Sequence, residues 1–237
     1  MESDFSYKKH LFFDMDDTVT PSRSRIDQDM YDFFSALPLD VVIVSGATNS
    51  QIRSQVGDLS LYLLGQNGNH AVNPVGEVLW EETLSEDHAK AARTHIHALQ
   101  KLYTEEVNNR ADLVEERGAQ ISYSLIGHHE DLEKKKACDP EQTVRKNLLA
   151  QVPLLHTELE VKIGGTTCLD YFQKGRNKGY NVKRLLETQG WNADDCLYFG
   201  DALYPGGNDE TVVGIIDTVS VRNHRHTFDL LRQLFGT

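Results

Sequence analysis

Residues Leu11–Arg23 read LFFDMDDTVTPSR. A short apolar run ends in three carboxylates, Asp14, Asp16 and Asp17, followed by two threonines, a proline and Arg23. Phe12 and Phe13 are apolar neighbours, so both faces of a strand over about 10–14 need cover, as in the middle of a parallel sheet. Such a strand carries Asp14 and Asp16 to its C-terminal lip, where open α/β sheets bind ligands. One stretch thus predicts the fold class, α/β, and a place where a nucleophile and a metal site are built together.

Outward from this strand, apolar runs alternate with helical ones. A helix is expected over 27–36 with Asp27 as N-cap. Val41–Val44 is a second buried strand ending at Ser45-Gly46. Asn49 caps a helix to about Val56, closed by Gly57. Leu61–Leu64 is a third strand, running into Gly65-Gln66-Asn67-Gly68, and residues 70–80 form a hairpin. Alternation of this kind implies right-handed βαβ units. The same texture returns near the end of the chain. Lys178-Gly179 opens a helix ending at Gly190, and Cys196–Phe199 is a buried strand leading to Gly200-Asp201. The loop Pro205–Asp209, a strand over 219–221 and a helix over 225–235 follow.

Between the two halves the pattern changes. Ser85 opens a long amphipathic helix over 86–105. Strands over 112–117 and 120–126 alternate, with Ile121, Tyr123 and Leu125 on one face and Ser122 and Ser124 on the other. That pattern predicts one covered face and one wet face. Asp139-Pro140-Glu141-Gln142 is a helix start leading to about Gln151, and strands over 159–163 and 167–172 complete an αββαββ module. The expected organisation is a core of 1–83 plus 173–237 with an inserted α+β domain, 84–172, built on an antiparallel sheet. Hinges fall near Glu82–Leu84 and Gln173–Gly175.

The composition narrows the function. The 237 residues carry a formal charge of -12, which argues against nucleic acid as a partner, because neutralising phosphates needs clustered Lys and Arg. Any phosphorylated ligand needs a local pocket. The compact basic run Lys134–Lys136 reads as a solvated turn. Three cysteines without CxxC spacing argue against a disulfide framework or zinc site and fit a reducing compartment. The ten histidines lack an acid–His metal spacing and read as surface residues. The start MESDFSYKK has no apolar signal segment, and no run approaches a bilayer span. The expectation is a soluble, cytoplasmic protein with no membrane partner.

The chemistry follows from four strand and helix ends. Asp14 is placed to attack a phosphoryl group. Attack brings two anions together, so cationic help is needed. Mg2+ on Asp14, Asp201 and a backbone carbonyl would supply it. The Lys178 amine and Ser45 hydroxyl would neutralise and orient the transferring oxygens. Asp16 would protonate the leaving alkoxide, and an aspartyl-phosphate would split the transfer into two steps.

The chain resembles the haloacid dehalogenase (HAD) superfamily and, within it, the eukaryotic-type phosphomannomutase family. DMDDTVTPSR resembles the family's aspartate loop, IVSGAT its serine motif and FGDALYPGGNDE its metal loop, and GRNKGYN places Lys178 on the motif lysine. The resemblance covers nearly the whole chain. It implies a Rossmann-like core with a cap, a hexose phosphate substrate, a hexose bisphosphate activator, Mg2+ and a homodimer through the cap. It implies Asp14 as nucleophile and Asp16 as acid/base, with metal ligands drawn from Asp14, Asp16, Asp201, Asn208 and Asp209. For the substrate it implies Arg23, Arg117, His128, Lys135, Cys168 and Asp170. A cross-strand ion pair is the other reading of Arg117 and Asp170. Two departures stand out: His128 replaces an arginine and Asp17 replaces a glycine. The leading expectation is interconversion of mannose 6-phosphate and mannose 1-phosphate. A sugar-phosphate phosphatase and an inactive sugar-phosphate-binding module are the alternatives.

Overall fold

A computed structural model describes residues 5–105 and 107–236. In chain order the elements are β1 (His10–Phe13), α1 (Gln28–Ala36), β2 (Asp40–Val44), α2 (Asn49–Val56), β3 (Tyr62–Gly65), β4 (His70–Val72) and β5 (Val78–Glu81). Then come α3 (Glu86–Leu102), β6 (Val114–Glu116), β7 (Gln120–Ser124), α4 (Leu132–Cys138), α5 (Thr143–Gln151), β8 (Leu159–Gly164) and β9 (Cys168–Gln173). The chain closes with α6 (Lys178–Gln189), β10 (Cys196–Gly200), β11 (Asp217–Ser220) and α7 (His224–Phe235). These form two compact units, Met1–Glu81 with Asn177–Thr237 and Glu82–Arg176.

The first unit is a seven-stranded sheet in the order β11-β10-β1-β2-β3-β4-β5. The five strands from β11 to β3 are parallel, and β4 and β5 add an antiparallel hairpin. β1 lies at the centre with residues 11–13 fully buried. Leu11 and Phe13 face α1, α2 and α7 through Phe34, Ile52 and Leu231. Phe12 faces Val182, Leu185 and Leu186 of α6. This two-sided cover is what adjacent apolar residues in a strand require. Phe13 also stacks on Phe199 of β10 at 5.0 Å between ring centres.

Local ends differ from expectation where side chains found other partners. Thr48, not Asn49, caps α2: its hydroxyl accepts from the Gln51 N–H, and the Gln51 side chain answers on the Thr48 N–H. Asp27 occupies the N-cap position of α1 without a cap hydrogen bond. Its carboxylate meets His224 at 3.2 Å and Arg225 at 3.1 Å, tying α1 to α7.

The second unit is a four-stranded antiparallel sheet, β6-β7-β9-β8. One face packs Ile121, Tyr123, Leu169 and Tyr171 against Ala92, Ile96 and Leu99 of α3 and Leu148 of α5. The apolar stripe of α3 is therefore used within its own unit. Three expectations fail here. Residues 134–136 are not a solvated turn; they lie in α4, with Lys135 buried. The next helix starts at Thr143, not at Pro140, because Asp139 holds the Val144 and Arg145 N–H groups from a distance, at 2.9 and 3.2 Å. Asp139 also takes the Arg145 side chain at 2.8 Å. The polar face of β7 is not wet. Ser122 and Ser124 are buried; Ser122 donates to Asp170 at 2.6 Å and Ser124 bonds the Gly127 carbonyl and the Thr167 hydroxyl. Hydrogen bonding within the sheet removes the need for water on that face.

Candidate active site

The parallel register sets Asp14, Ser45 and Asp201 just past the C-terminal ends of neighbouring strands β1, β2 and β10. The Asp14 N–H extends the ladder by donating to the Phe199 carbonyl at 3.0 Å. Beyond Asp14 the chain turns tightly around the Met15 carbonyl, which accepts from the N–H groups of Thr18, Val19 and Thr20. Asp17 sits in this turn at φ 58°. That left-handed backbone explains why glycine suits the position and why aspartate, which tolerates it, stands there.

Asn177 caps α6 by accepting from the Tyr180 N–H, which starts the helix at Lys178. The Lys178 amine donates to Asp14 at 2.6 Å and to Asp209 at 2.7 Å. Lys178 is 1% exposed, Asp209 0% and Asp14 5%. Tyr198 of β10 donates its hydroxyl to Asp209 at 2.6 Å. Gly200 makes this approach feasible: a Cβ there would lie 2.5 Å from an Asp209 carboxylate oxygen. Asp14, Asp201 and Asp209 each offer an oxygen, and these lie within 4.8 Å of one another.

Two buried carboxylates, Asp14 and Asp209, and the half-buried Asp201 face one ammonium. Burial, then the charges of Asp209 and Asp201, push the Asp14 carboxyl well above its ordinary range despite Lys178. Burial and Asp209 push Asp201 up to about 6. Burial works against the Lys178 charge, but Asp14 and Asp209 outweigh it and hold the amine protonated. The cluster has more negative charge than Lys178 can balance, which is the donor set of a hard divalent cation such as Mg2+. Residues Asp14, Asp201 and Asp209 fit that ion.

Asp16 stands outside this triad. Its carboxylate accepts from the Arg23 N–H at 2.6 Å, and burial raises its pKa. Asp209, of the expected metal-loop residues, is the acid that lies with Asp14 and Asp201 in that cluster. Of the two loop residues offered by the sequence, Asp209 is the one bonded to Lys178. Ser45 is buried, and its hydroxyl accepts from the Ala47 N–H at 3.1 Å.

In the second unit, Glu115, Ser122, Asp170 and Lys162 are successive partners across β6, β7, β9 and β8, on one face of the sheet. Arg117 donates to Glu115 at 2.9 Å, while Asp170 adds a favourable charge to the guanidinium. Arg117 thus pairs with Glu115, two residues away on the same edge of the sheet. His128 is buried rather than on the surface, with Nε2 3.2 Å from the Ser122 carbonyl. A carbonyl only accepts, so Nε2 carries a proton. Nδ1 faces Cys168 Sγ at 3.9 Å and Glu115 at 3.8 Å. Lys135 donates to the His128 carbonyl at 2.9 Å. Arg117, His128, Cys168 and Asp170 are brought together, whereas Lys135 reaches them through the His128 backbone.

Two residues escaped the sequence reading. Tyr198 carried a signal: a tyrosine in a fully buried strand needs a partner for its hydroxyl. Glu115 carried none, because its role depends on Arg117 and His128 converging on it.

Residues 39–236 match the eukaryotic phosphomannomutase family. The chain belongs to that family. Phosphomannomutase 2 of Dictyostelium discoideum is 25% identical over 248 residues, spanning 94% of this chain and 95% of the relative. Among solved structures, Plasmodium falciparum IMP-nucleotidase superposes with a TM-score of 0.65 at 15% identity, over 96% of this chain and 68% of that one. A haloacid dehalogenase-like hydrolase from Bacteroides thetaiotaomicron gives 0.60 at 15% identity, over 96% and 100%. The fold is that of the HAD superfamily, with a Rossmann-like core and a cap, and the protein is an enzyme of its phosphotransferase and phosphatase class. Among the described residues no helix is long and apolar enough to cross a membrane.

Proposed function

We propose that this phosphomannomutase-family enzyme transfers a phosphoryl group on hexose phosphates through Asp14, interconverting mannose 6-phosphate and mannose 1-phosphate. The supporting observation is the buried Asp14–Lys178–Asp209 cluster beside Asp201 at the strand ends. Asp14 attacks phosphorus, the bond to the sugar oxygen breaks, and Asp16 gives its proton to that oxygen. Burial holds the Asp16 carboxyl above its ordinary range, which suits an acid. In the other half-reaction a hexose monophosphate meets phosphorylated Asp14. Asp16 takes the proton of its free hydroxyl, which attacks the phosphoryl-aspartate, forming a hexose bisphosphate and freeing Asp14. That bisphosphate turns over to return its other phosphoryl group to Asp14. Lys178 and the Ser45 hydroxyl hold phosphoryl oxygens in line with Asp14. Asp14, Asp201 and Asp209 would hold Mg2+, which would supply neutralisation of the phosphoryl charge.

Arg23 and, in the second unit, Arg117, His128, Lys135, Cys168 and Asp170 are the proposed sugar-phosphate contacts. A hexose bisphosphate serves as activator. A homodimer through the cap rests on the family resemblance alone, since the α3 stripe is already covered.

One observation favours a second reading, a sugar-phosphate phosphatase with the same nucleophile. Where the family has arginine, His128 has its Nε2–H bonded to Ser122, and Lys135 is bonded to the His128 carbonyl. Imidazole lacks the arginine fork and is charged only when protonated. Such a cap holds a second phosphate weakly, and water then takes the phosphoryl group. Mannose 1-phosphate assayed with Mg2+, with and without a hexose 1,6-bisphosphate, separates the readings. Bisphosphate-dependent isomerisation supports the mutase. Free phosphate without isomerisation sinks it, and no turnover of any phosphomonoester leaves only a binding module.

A further inference from the structure

The loop after β3 reads Gly65-Gln66-Asn67-Gly68-Asn69. Gln66 and Asn67 both have left-handed backbone, at φ 56° and 58°. Successive non-glycine residues in that region are strained, and the strain persists only where the surroundings enforce it. Among the described residues five non-glycines have positive φ, and four of them, Asp17, Arg23, Gln66 and Asn67, lie in the loops after β1 and β3. Those strands flank β2, whose end carries Ser45. Gln66 and Asn67 are the two of these that bond the segment carrying that serine.

Two sets of bonds enforce the strained backbone. On one side the Asn67 N–H donates to the Ser45 carbonyl and the Gln66 N–H to the Ala47 carbonyl, each at 2.8 Å. On the other side is Asn181, fully buried in the first turn of α6. Its amide nitrogen lies 2.9 Å from the Asn67 carbonyl, 3.2 Å from Asn69 Oδ1 and 3.2 Å from the Asn177 carbonyl. All three are acceptors here, so the amide must present its NH2 group to them. Its Oδ1 is then buried without a partner. That unpaired oxygen is the cost of aiming the amide NH2 group at these three acceptors. At Gly68, φ 88°, a Cβ would lie 2.4 Å from the Asn181 Cβ, and only glycine lets the loop come this close. Ser45, Asn67 and Asn181 thus form a continuous link from the end of β2 to the helix whose first residue is Lys178.

We propose that the Gln66–Asn69 turn and Asn181 are a positioning device for phosphoryl transfer, fixing the Ser45 hydroxyl relative to the Lys178 amine. Asn67 and Asn181 act through those two groups and are positioning residues. The proposal rests on the phosphoryl-transfer reading above, in which Ser45 and Lys178 hold phosphoryl oxygens. Two groups that grip one phosphoryl group from different elements lose their alignment when the elements shift by a fraction of a bond length.

Two variants test it, with p-nitrophenyl phosphate and Mg2+ as the assay, rates normalised to folded protein, and Tm recorded alongside. Asn181→Leu keeps the size of the side chain and removes the donors. It is expected to lower kcat on the order of tenfold to a hundredfold with little change in KM. Gln66→Gly permits the left-handed backbone without steric cost. It also removes the buried Gln66 side chain and loosens the turn, so it is expected to lower kcat roughly threefold or more with little change in KM. A turn that serves only the fold would change Tm and keep its kcat. If Gln66→Gly retains kcat within about twofold of the parent, the proposal is overturned, whether or not Asn181→Leu folds. A parent enzyme that turns over no phosphomonoester removes instead the reading on which the proposal rests.

Discussion

Lys178→Met keeps the side chain's length and removes the single positive charge bonded to both Asp14 and Asp209. Both ends of these pairs are buried. Deleting one partner of a buried ion pair leaves the other charge uncompensated, at about 3–5 kcal/mol. For a protein of this size each kcal/mol moves Tm by roughly 2–4 °C. The two ranges multiply to a fall of about 6–20 °C in metal-free protein at pH 8. Two conditions narrow the loss. Asp14 and Asp201 have raised pKa values, so they take up protons as pH falls and the deficit is smaller at pH 5.5. Mg2+ supplies positive charge to the same carboxylates, so it raises the variant's Tm more than the parent's. Activity is expected to fall by about 10²–10³ in kcat, the usual effect of losing one preorganised donor to the transferring oxygens. Calorimetry in EDTA at both pH values, then with Mg2+, measures the Tm shifts, and a phosphomonoester assay with Mg2+ measures kcat. A variant that melts within about 1 °C of the parent in EDTA at pH 8 would refute the reasoning, because the carboxylates would then need no counter-charge.

Asp14→Asn is expected to abolish turnover of every phosphomonoester while the fold is kept, and substantial residual turnover would overturn covalent transfer. Asp201, with a folded pKa of about 6 against an ordinary 3.8, contributes stability to metal-free protein that is full below pH 3.8 and lost as pH rises through about 6. Asp201→Asn should flatten that part of the Tm–pH profile in EDTA, and an unchanged slope would exclude Asp201 as its source. Arg145, buried with Asp139 and donating to the Gly164, Gly165 and Cys168 carbonyls, anchors the turn between β8 and β9. Arg145→Met should destabilise the second unit by about 3–5 kcal/mol, seen as early loss of hydrogen-exchange protection over residues 159–173.

The core was legible from Leu11–Arg23 outward because its physics is local to each strand. Adjacent apolar residues demand two-sided burial, and acidic ends mark the lip where ligands bind. The inserted unit was read less well because its polar residues bond to one another. Lys134–Lys136 reads as a solvated turn, but Lys135 is buried on the His128 carbonyl. Asp139 looked like a helix cap, but it reaches over an intervening turn to hold Arg145. Ser122 and Ser124 suggested water where Asp170 and Thr167 stand. At the site, the motif residues Asp14, Lys178 and Asp209 converge. Which metal-loop residue joins Asp14 was not readable, because it depends on which side chain the Lys178 amine and the Tyr198 hydroxyl engage.

The central claim is that Asp14 carries the phosphoryl group. Enzyme mixed with excess mannose 1-phosphate and Mg2+, quenched in acid within a turnover and mapped by mass spectrometry, tests it most directly. The account predicts one added phosphoryl group on the peptide containing Asp14, absent in Asp14→Asn. Turnover in the same mixture with Asp14 unmodified at every quench time, including in a variant slowed at Asp16, would contradict it.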